Sequence, residues 1–538
     1  MRKLAMTNAP SQNPETARTA LYGDLTGRFV HNLILESCHK NAARTAIIDP
    51  SCNRRISYAE YGELVESVAR GFAAAGVKPG DIVAIFLANS WEFCVAYHAA
   101  TLAGAVPTLL NPTYREREVC YQLENSGAAL LITDGPNLDG INLASLPNLR
   151  RIYYTRQPAS GAEPFSNLLI RTAQPLPAPS KASGETLAAL PYSSGTTGLP
   201  KGVMLTHSNL VSNVYQLLGP NGSAFNANDI FLCFLPLYHI YGLNVVLNPA
   251  LLLGATLVLL PRFNLPQLVS LLVEEGVTTM PVVPPALNAL CQAAAAGDFP
   301  KSHRLRWVKS GAAPLAPELA RRFTALTGVL VCQGYGMTEA SPVTHLGYLE
   351  PALYRPESIG RPLAQTECRV VDDDGNDDAS GQPGELVMRG PQFMLGYWKE
   401  PQATAAALRD GWFWSGDVVT RDREDFFRVV DRRKEMIKYK GFPVAPAEVE
   451  AVLLEHPAVR ECGVVGRPDA CAGEIPVAFV ALREGFATSK KLEEELCAFV
   501  ADRLTHYKQP REVRFIAAVP KTASGKILRR ELKSAFGS

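Results

Sequence analysis

The sequence predicts an α/β protein, with parallel-rich sheets packed by helices over most of the chain and a small α+β unit at its end. Three observations carry this reading. Helical and strand-like patterns alternate from about residue 56, as expected when helices cover parallel sheets. A Gly/Ser/Thr-rich loop follows an apolar run near residue 192, and beyond Lys434 the pattern shifts to short strands around one amphipathic helix. At 538 residues the chain is too long for a single compact core. We therefore expect two domains, residues 20–433 and 434–538.

In order along the chain, Ser57 and Glu60 have capping-box spacing. Tyr61, Leu64, Val65, Val68, Phe72 and Ala73 then recur along one helix face. Asp81 to Leu87 reads as a buried strand, Ser90 to Leu102 as a helix, and Ala129 to Thr133 as a further strand. Residues 156–186, rich in Pro, Ser, Ala and Gly, are expected to be a surface connection. Leu243 to Leu260 is broken by Asn244, Asn248, Pro249 and Gly254, which predicts a buried helix and a strand, not a membrane span. In the last domain, strands are expected at Glu461 to Gly466, Pro476 to Leu482 and Glu512 to Ile516. Leu492, Leu496, Phe499, Val500 and Leu504 mark a helix.

The run Tyr192-Ser193-Ser194-Gly195-Thr196-Thr197-Gly198-Leu199-Pro200-Lys201-Gly202 is the strongest chemical signal. Glycines let the backbone approach a ligand closely, hydroxyls and exposed N–H groups donate hydrogen bonds, and Lys201 adds a charge. The loop suits a polyphosphate. It differs from the Walker pattern, because Gly202 follows the lysine where Ser or Thr would hold magnesium. With Leu187 to Tyr192 before it and a cappable helix near Thr206 after it, the expected context is strand, loop, helix.

A net charge of +1 with 20% charged residues gives no electrostatic reason to expect nucleic acid or a membrane surface as partner, and points to small molecules. The eleven cysteines lack metal-binding spacing and are expected to be buried thiols in a reducing compartment. Met1 to Glu15 has two basic residues but no apolar core, so no signal peptide is read and a cytoplasmic location is expected.

Four further segments complete a constellation: Gln333-Gly334-Tyr335-Gly336-Met337-Thr338-Glu339, Trp414-Ser415-Gly416-Asp417, Asp431 to Gly441, and Pro520-Lys521-Thr522-Ala523-Ser524-Gly525-Lys526. Together with the loop they resemble the acyl- and aryl-CoA synthetases of the adenylate-forming superfamily, which also holds amino-acid adenylation domains and luciferases. The similarity runs in order from about residue 20 to 535. It implies a large N-terminal domain with a β-subdomain and a small mobile C-terminal domain hinged near Lys434. It also implies ATP and coenzyme A as substrates, with Mg²⁺ as cofactor.

By resemblance, Ser193, Ser194, Gly195, Thr196, Thr197, Gly198 and Lys201 would wrap the β- and γ-phosphates. Gly311, Ala312, Ala313, Gly334, Tyr335, Gly336 and Met337 would line the adenine and carboxylate pockets. Thr338 would hold the α-phosphate and Glu339 the Mg²⁺, an ion that favours oxygen ligands shared with phosphate. Asp417 and Arg432 would bind the ribose, and Lys438 the AMP. Lys526 would be the adenylation lysine, and His239 would sit where acyl group and pantetheine meet. Lys440, Gly441 and Phe442 would serve coenzyme A. Two departures from the family pattern are Asp425, at a turn where relatives have Gly, and Pro443, which removes an N–H.

The acyl pocket is expected from Tyr241, Gly242, Val245, Pro342 and Val343, on segments otherwise apolar or small. Apart from Glu339 they carry no carboxylate to pair an α-ammonium, which disfavours an amino acid. The expected substrate is an apolar carboxylate, with a medium- or long-chain fatty acid favoured because Val245 replaces a small polar residue found in several 4-coumarate:CoA ligases. The alternatives are an aryl carboxylate and, for the acceptor, an acyl carrier protein.

Overall fold

The computed structural model describes residues 28–143, 146–171, 184–193, 199–219, 225–372, 374–377, 381–440, 442–469, 471–522 and 525–536. The largest sheet has nine strands. Its centre is parallel: Leu330–Gly336, Trp307–Ser310, Thr279–Val282, Ile230–Cys233, Thr256–Leu259 and Thr45–Asp49 lie side by side in that order. Antiparallel strands close both edges, Arg54–Ser57 at one and Val343–Leu346 with Arg361–Pro362 at the other. A second sheet, Val106–Leu109, Ile82–Phe86, Ala128–Thr133, Arg151–Tyr154 and Glu163–Pro164, is parallel throughout. The α/β expectation therefore holds.

Local signals explain the elements between these sheets. Ser57 Oγ accepts from Glu60 N at 3.1 Å to start the helix Tyr58–Ala74, and Ser90 caps Trp91–Leu102 through Phe93 N. All five residues of Ile82–Phe86 are buried, which is why that strand reads as an unbroken apolar run. The Leu243 to Leu260 region divides as expected, into a wide π-helical turn Gly242–Leu247, the helix Asn248–Leu253 and the strand Thr256–Leu259. Among the described residues no helix is long and apolar enough to cross a membrane.

Two expectations need correction. The connection 156–186 is not all surface. Phe165 and Leu168, in the short turn Phe165–Leu168, are buried, and a Cβ on Gly71 would run into the backbone of Leu168. Nor are the cysteines uniformly buried: Cys38, Cys94, Cys233, Cys291, Cys332 and Cys462 are, whereas Cys52 and Cys471 are exposed.

An antiparallel sheet built on Glu367–Val371, Gly384–Arg389 and Trp412–Arg421 follows the large sheet, with Phe427–Arg432 paired to the last. Asp425 turns the chain into Phe427 with φ +64, the left-handed conformation expected where Gly is replaced. From Ile437 the chain forms a separate sheet. The long hairpin Val459–Asp469 and Gly473–Leu482 is flanked by Ile437–Tyr439, Phe442–Val444 and Glu512–Phe515, and its core takes in Leu492, Leu496 and Val500 of the helix Lys490–Ala501.

Candidate active site

A cavity of about 800 Å³ opens where the large sheet, the antiparallel sheet and the C-terminal unit meet. Its lining gathers residues from distant parts of the chain. Ser193, Lys201, His239, Tyr241, Gly242, Val245, Gly311, Ala312, Gly334 to Glu339, Pro342, Val343, Arg432, Lys434 and Lys526 all face it.

Ser193 and Lys201 are brought together by a hairpin. Tyr192–Ser193 pairs antiparallel with Lys201–Thr206, with Lys201 opposite Ser193. The expected strand, loop, helix context is therefore corrected to strand, loop, strand. The helix His207–Leu218 begins only after the second strand, and its first turn is capped internally by Thr206 and Asn209. Lys201 and Ser193 thus stand on paired strands, and the helix N-terminus lies at the far end of the second strand. Ser194, Gly195, Thr196, Thr197 and Gly198 lie outside the described residues, as does Gly441.

Tyr397, which the motifs did not single out, completes this corner. Its strand Gly396–Tyr397 pairs with Lys201–Thr206. The Lys201 ammonium lies 5.3 Å from the centre of the Tyr397 ring, and the Tyr397 hydroxyl donates to Glu339 Oε1 at 2.8 Å. Ser193 Oγ donates to the same oxygen at 3.2 Å. Burial and then the Glu339 charge push the Tyr397 phenol upward, so it stays a donor. Among the described residues no cluster of three or more His, Cys, Asp or Glu side chains could hold a metal. A single carboxylate aimed by two hydroxyls fits Mg²⁺, which keeps water and phosphate oxygens as its other ligands.

Opposite, Asp417 and Arg432 face each other across paired strands, with Arg432 Nε 3.0 Å from Asp417 Oδ1. The Tyr335 hydroxyl donates to Asp417 Oδ2 at 2.5 Å. Asp417 is buried behind Ser415 and Gly416, and Arg432 presents the charge to the cavity.

Lys526 reaches the cavity from the C-terminal unit. Its N–H donates to Thr522 Oγ1 at 3.1 Å, and the turn abuts the large domain: a Cβ on Gly525 would lie 2.9 Å from Pro285 Cγ. Burial, and then the neighbouring Arg432 charge, lower the ammonium pKa from its usual value. Both effects would be offset by an anion placed between the two cations.

At the end where the acyl group is expected, His239 is partly buried and lines the cavity, its pKa lowered by burial to about 4. Its Nδ1 accepts from Tyr241 N at 3.2 Å. The Tyr241 hydroxyl is shared between the carbonyls of Val282 at 3.3 Å and Lys309 at 3.2 Å, and its ring rests on the bare backbone of Gly311. Val245 packs with Leu217, Val343, Leu346 and Leu363 in one apolar cluster against Tyr241. Lys309, also unanticipated, lines the cavity from the strand before Gly311, its pKa lowered by burial to about 8.

Other expected site residues lie elsewhere in this arrangement. Lys438, Lys440 and Phe442 are exposed and do not line the cavity; Phe442 stacks on Tyr507 at 5.1 Å. Ala313 is likewise outside the lining. Tyr397 and Lys309 carry no local signature, because each gains its role only through strand pairing with a motif distant in sequence.

The geometry gathers these charged, hydroxyl and apolar groups in one cavity shared by two units of the chain, and comparisons with known proteins identify the family. Residues 34–398 match the AMP-binding enzyme family and residues 448–526 the AMP-binding enzyme C-terminal domain. The chain is 38% identical to 4-coumarate–CoA ligase 3 of Arabidopsis thaliana, over 94% of this chain and 91% of that one. It is 37% identical to 4-coumarate–CoA ligase 1 of Solanum tuberosum, over 94% and 93%. Among solved structures, an anthranilate CoA ligase in complex with anthranoyl-AMP superposes with a TM-score of 0.85 at 27% identity, covering 96% of this chain and 97% of that one. A benzoate CoA ligase from Burkholderia xenovorans LB400 gives 0.84 at 28%, covering 94% and 100%. The protein is an adenylate-forming enzyme. It belongs to the AMP-binding enzyme family, among the AMP-forming acyl- and aryl-CoA ligases.

Proposed function

We propose that the enzyme joins a planar aromatic carboxylate, an aryl or arylpropenoic acid, to coenzyme A through an acyl-AMP intermediate. The observation that carries this reading is the build of the acyl end. Tyr241 is pinned as a flat wall by two backbone carbonyls, and the Val245, Leu217, Val343, Leu346 and Leu363 cluster packs against it. A short rigid ring system suits such a flat wall. The named substrates of the 4-coumarate, benzoate and anthranilate ligases support the same choice. A medium- or long-chain fatty acid is the second reading, favoured by the wholly aliphatic character of that cluster.

In the first half-reaction the carboxylate attacks the α-phosphorus of ATP, releasing pyrophosphate. Ser193 and Lys201, with the loop between them, hold the β- and γ-phosphates, Thr338 the α-phosphate, and Arg432 with Asp417 the ribose. Glu339 holds Mg²⁺, which neutralises phosphate charge when bound. Asp417 remains competent although Tyr335 and Arg432 engage it, since a carboxylate has about four acceptor positions. Lys526 supplies positive charge where two anions meet, and stabilisation of this kind is worth on the order of 10²–10³ in rate. His239, its pKa lowered by burial to about 4, lies where acyl group and pantetheine would meet.

In the second half-reaction the thiol of coenzyme A attacks the acyl carbonyl and AMP leaves. Lys526 must withdraw to admit it. Rotation of residues 434–538 about Lys434 would do this and would bring in Gly441 together with Lys438, Lys440 and Phe442, the last three of which lie outside the cavity lining in the present arrangement. The test is a panel of cinnamates, benzoates and C6 to C18 fatty acids, with AMP release followed with and without coenzyme A. Turnover of fatty acids alone would reject the aromatic reading. Turnover only with an acyl carrier protein in place of coenzyme A would reject the acceptor.

A further inference from the structure

The wall Pro342–Val343 of the acyl site is held from behind by one side chain on the helix His207–Leu218. Asn213, fully buried, donates from Nδ2 to the carbonyl of Val343 at 2.7 Å and accepts from the Val343 N–H at Oδ1 at 3.1 Å. One amide thus takes both main-chain polar groups of a lining residue. The neighbouring peptide is held in parallel. Asn244 Nδ2 donates to Ser341 O at 2.6 Å and to Leu210 O, on the same helix as Asn213, at 3.2 Å.

Asn244 is itself the end of a buried polar chain. Its Oδ1 accepts from Asn248 Nδ2 at 2.7 Å, Asn248 Oδ1 lies 3.0 Å from His98 Nε2, and His98 Nδ1 lies 2.7 Å from the Tyr61 hydroxyl. Burial lowers the His98 pKa to about 4, so the ring is neutral. A neutral ring takes one consistent direction here, accepting from Tyr61 and donating to Asn248. Every link has a donor and an acceptor. Such a satisfied network in a low-dielectric interior favours one geometry over its neighbours.

We propose that Asn213 is a positioning residue for the carboxylate: by gripping both polar groups of Val343 it fixes the width of the acyl site and so sets which acyl groups fit. The role rests on the reading of this cavity end as the acyl site. It is separate from phosphate binding, although the same helix follows the strand that carries Lys201. Truncating Asn213 strands a buried N–H and a buried carbonyl, and the wall shifts to satisfy them.

The test uses non-reactive acyl-sulfamoyl adenosines, one aryl and one aliphatic, with binding to the full-length enzyme measured by calorimetry beside AMP. For Asn213→Ala, the preferred analogue is expected to weaken by about tenfold, with AMP affinity within about twofold of wild type. Asn209→Ala is the control. Asn209 lies on the same helix but donates to Pro391 O and accepts from Thr206 N, so its loss should lower thermal stability and leave the analogue-to-AMP ratio unchanged. If Asn213→Ala does not fold, Asn213→Ser is read in the same way. Equal weakening of analogue and AMP, or no change in either, overturns the proposal. A wild-type enzyme that binds neither analogue more tightly than AMP overturns the acyl-site reading and this role with it. Preference for the aliphatic analogue, with the same loss on truncation, overturns the aromatic substrate and leaves the role of Asn213 standing.

Discussion

The Tyr335 hydroxyl donates a 2.5 Å hydrogen bond to Asp417, which also pairs with Arg432, so one buried carboxylate joins the end of the strand Leu330–Gly336 to the antiparallel sheet. Tyr335→Phe should leave the Asp417–Arg432 pair in place and raise the KM for ATP about three- to tenfold, the effect of one lost charge-assisted hydrogen bond of roughly 1 kcal/mol. Asp417→Ala should cost more, because it leaves Arg432 without its carboxylate partner. Initial rates at varied ATP, with carboxylate saturating, check both.

The Glu339 carboxylate is aimed by Tyr397 and Ser193. Tyr397→Phe should raise the magnesium concentration needed for half-maximal rate while leaving the carboxylate KM unchanged. Glu339→Gln should lower kcat on the order of 10²-fold, as loss of a charge that stabilises a transition state does. Magnesium titrations of pyrophosphate release separate the two variants.

Lys526 enters from the C-terminal unit, and its expected duty ends once acyl-AMP exists. Lys526→Ala should lower acyl-AMP formation by about 10²-fold or more, yet largely spare thioester formation from presynthesised acyl-AMP. Single-turnover assays of each half-reaction provide the measurement. Equal loss in both would refute alternation of the small domain.

Gly311 meets the Tyr241 ring so closely that an added Cβ would sit 3.2 Å from it. Gly311→Ala should push the ring into the acyl site and raise the carboxylate KM about tenfold, a strain of roughly 1–2 kcal/mol. Gly336→Ala should be far worse, since its Cβ would be driven into the carbonyl of Pro342, backbone that cannot step aside. Carboxylate KM for Gly311→Ala and soluble yield for Gly336→Ala are the readouts.

Four histidines, His31, His98, His207 and His345, are buried with pKa values lowered by burial. The unfolded chain therefore binds more protons than the folded one as pH falls from 6.5 towards 4. Their stabilising contribution is complete above pH 6.5 and is lost progressively below it. For His98, near 4, the loss is about 3 kcal/mol. Thermal midpoints should fall steeply between pH 7 and 5, and a flat profile would contradict the burial of these rings. The lowered pKa of His239 places no ionisation of that ring between pH 6 and 9, so its replacement should leave the shape of the pH–rate profile unchanged.

Much of this architecture was legible where neighbouring residues decide the outcome. Ser57 and Ser90 mark helix starts because a cap is a local bond, and Ile82–Phe86 reads as a strand because both of its faces are covered. The motifs of Ser193, Lys201, Thr338, Glu339, Arg432 and Lys526 were legible as runs of distinctive residue types, and the fold brings all six to one cavity. The hairpin was missed because its first strand, Tyr192–Ser193, has only two residues and its second, Lys201–Thr206, leads straight into a well-capped helix. Tyr397, Lys309 and Asn213 were missed for a different reason. Each acts through a partner well over a hundred residues away, or through the strand register that delivers it, and no spacing rule encodes such a meeting. Phe165 and Leu168 show the same limit, two apolar residues inside a Pro- and Ser-rich stretch that find cover only in the folded molecule.

The π-helical turn Gly242–Leu247 gives this enzyme an uncommon route to altered selectivity. Such a turn carries one residue more than an α-helix of the same rise, so deleting a single position there would restore ordinary helical winding and rotate Val245 by about 100°. Changing the length of the chain at one point, with no replacement of any lining side chain, would then present a different chemical face to the incoming acid. Libraries of one-residue deletions and insertions in this turn would reach specificities that point substitutions do not.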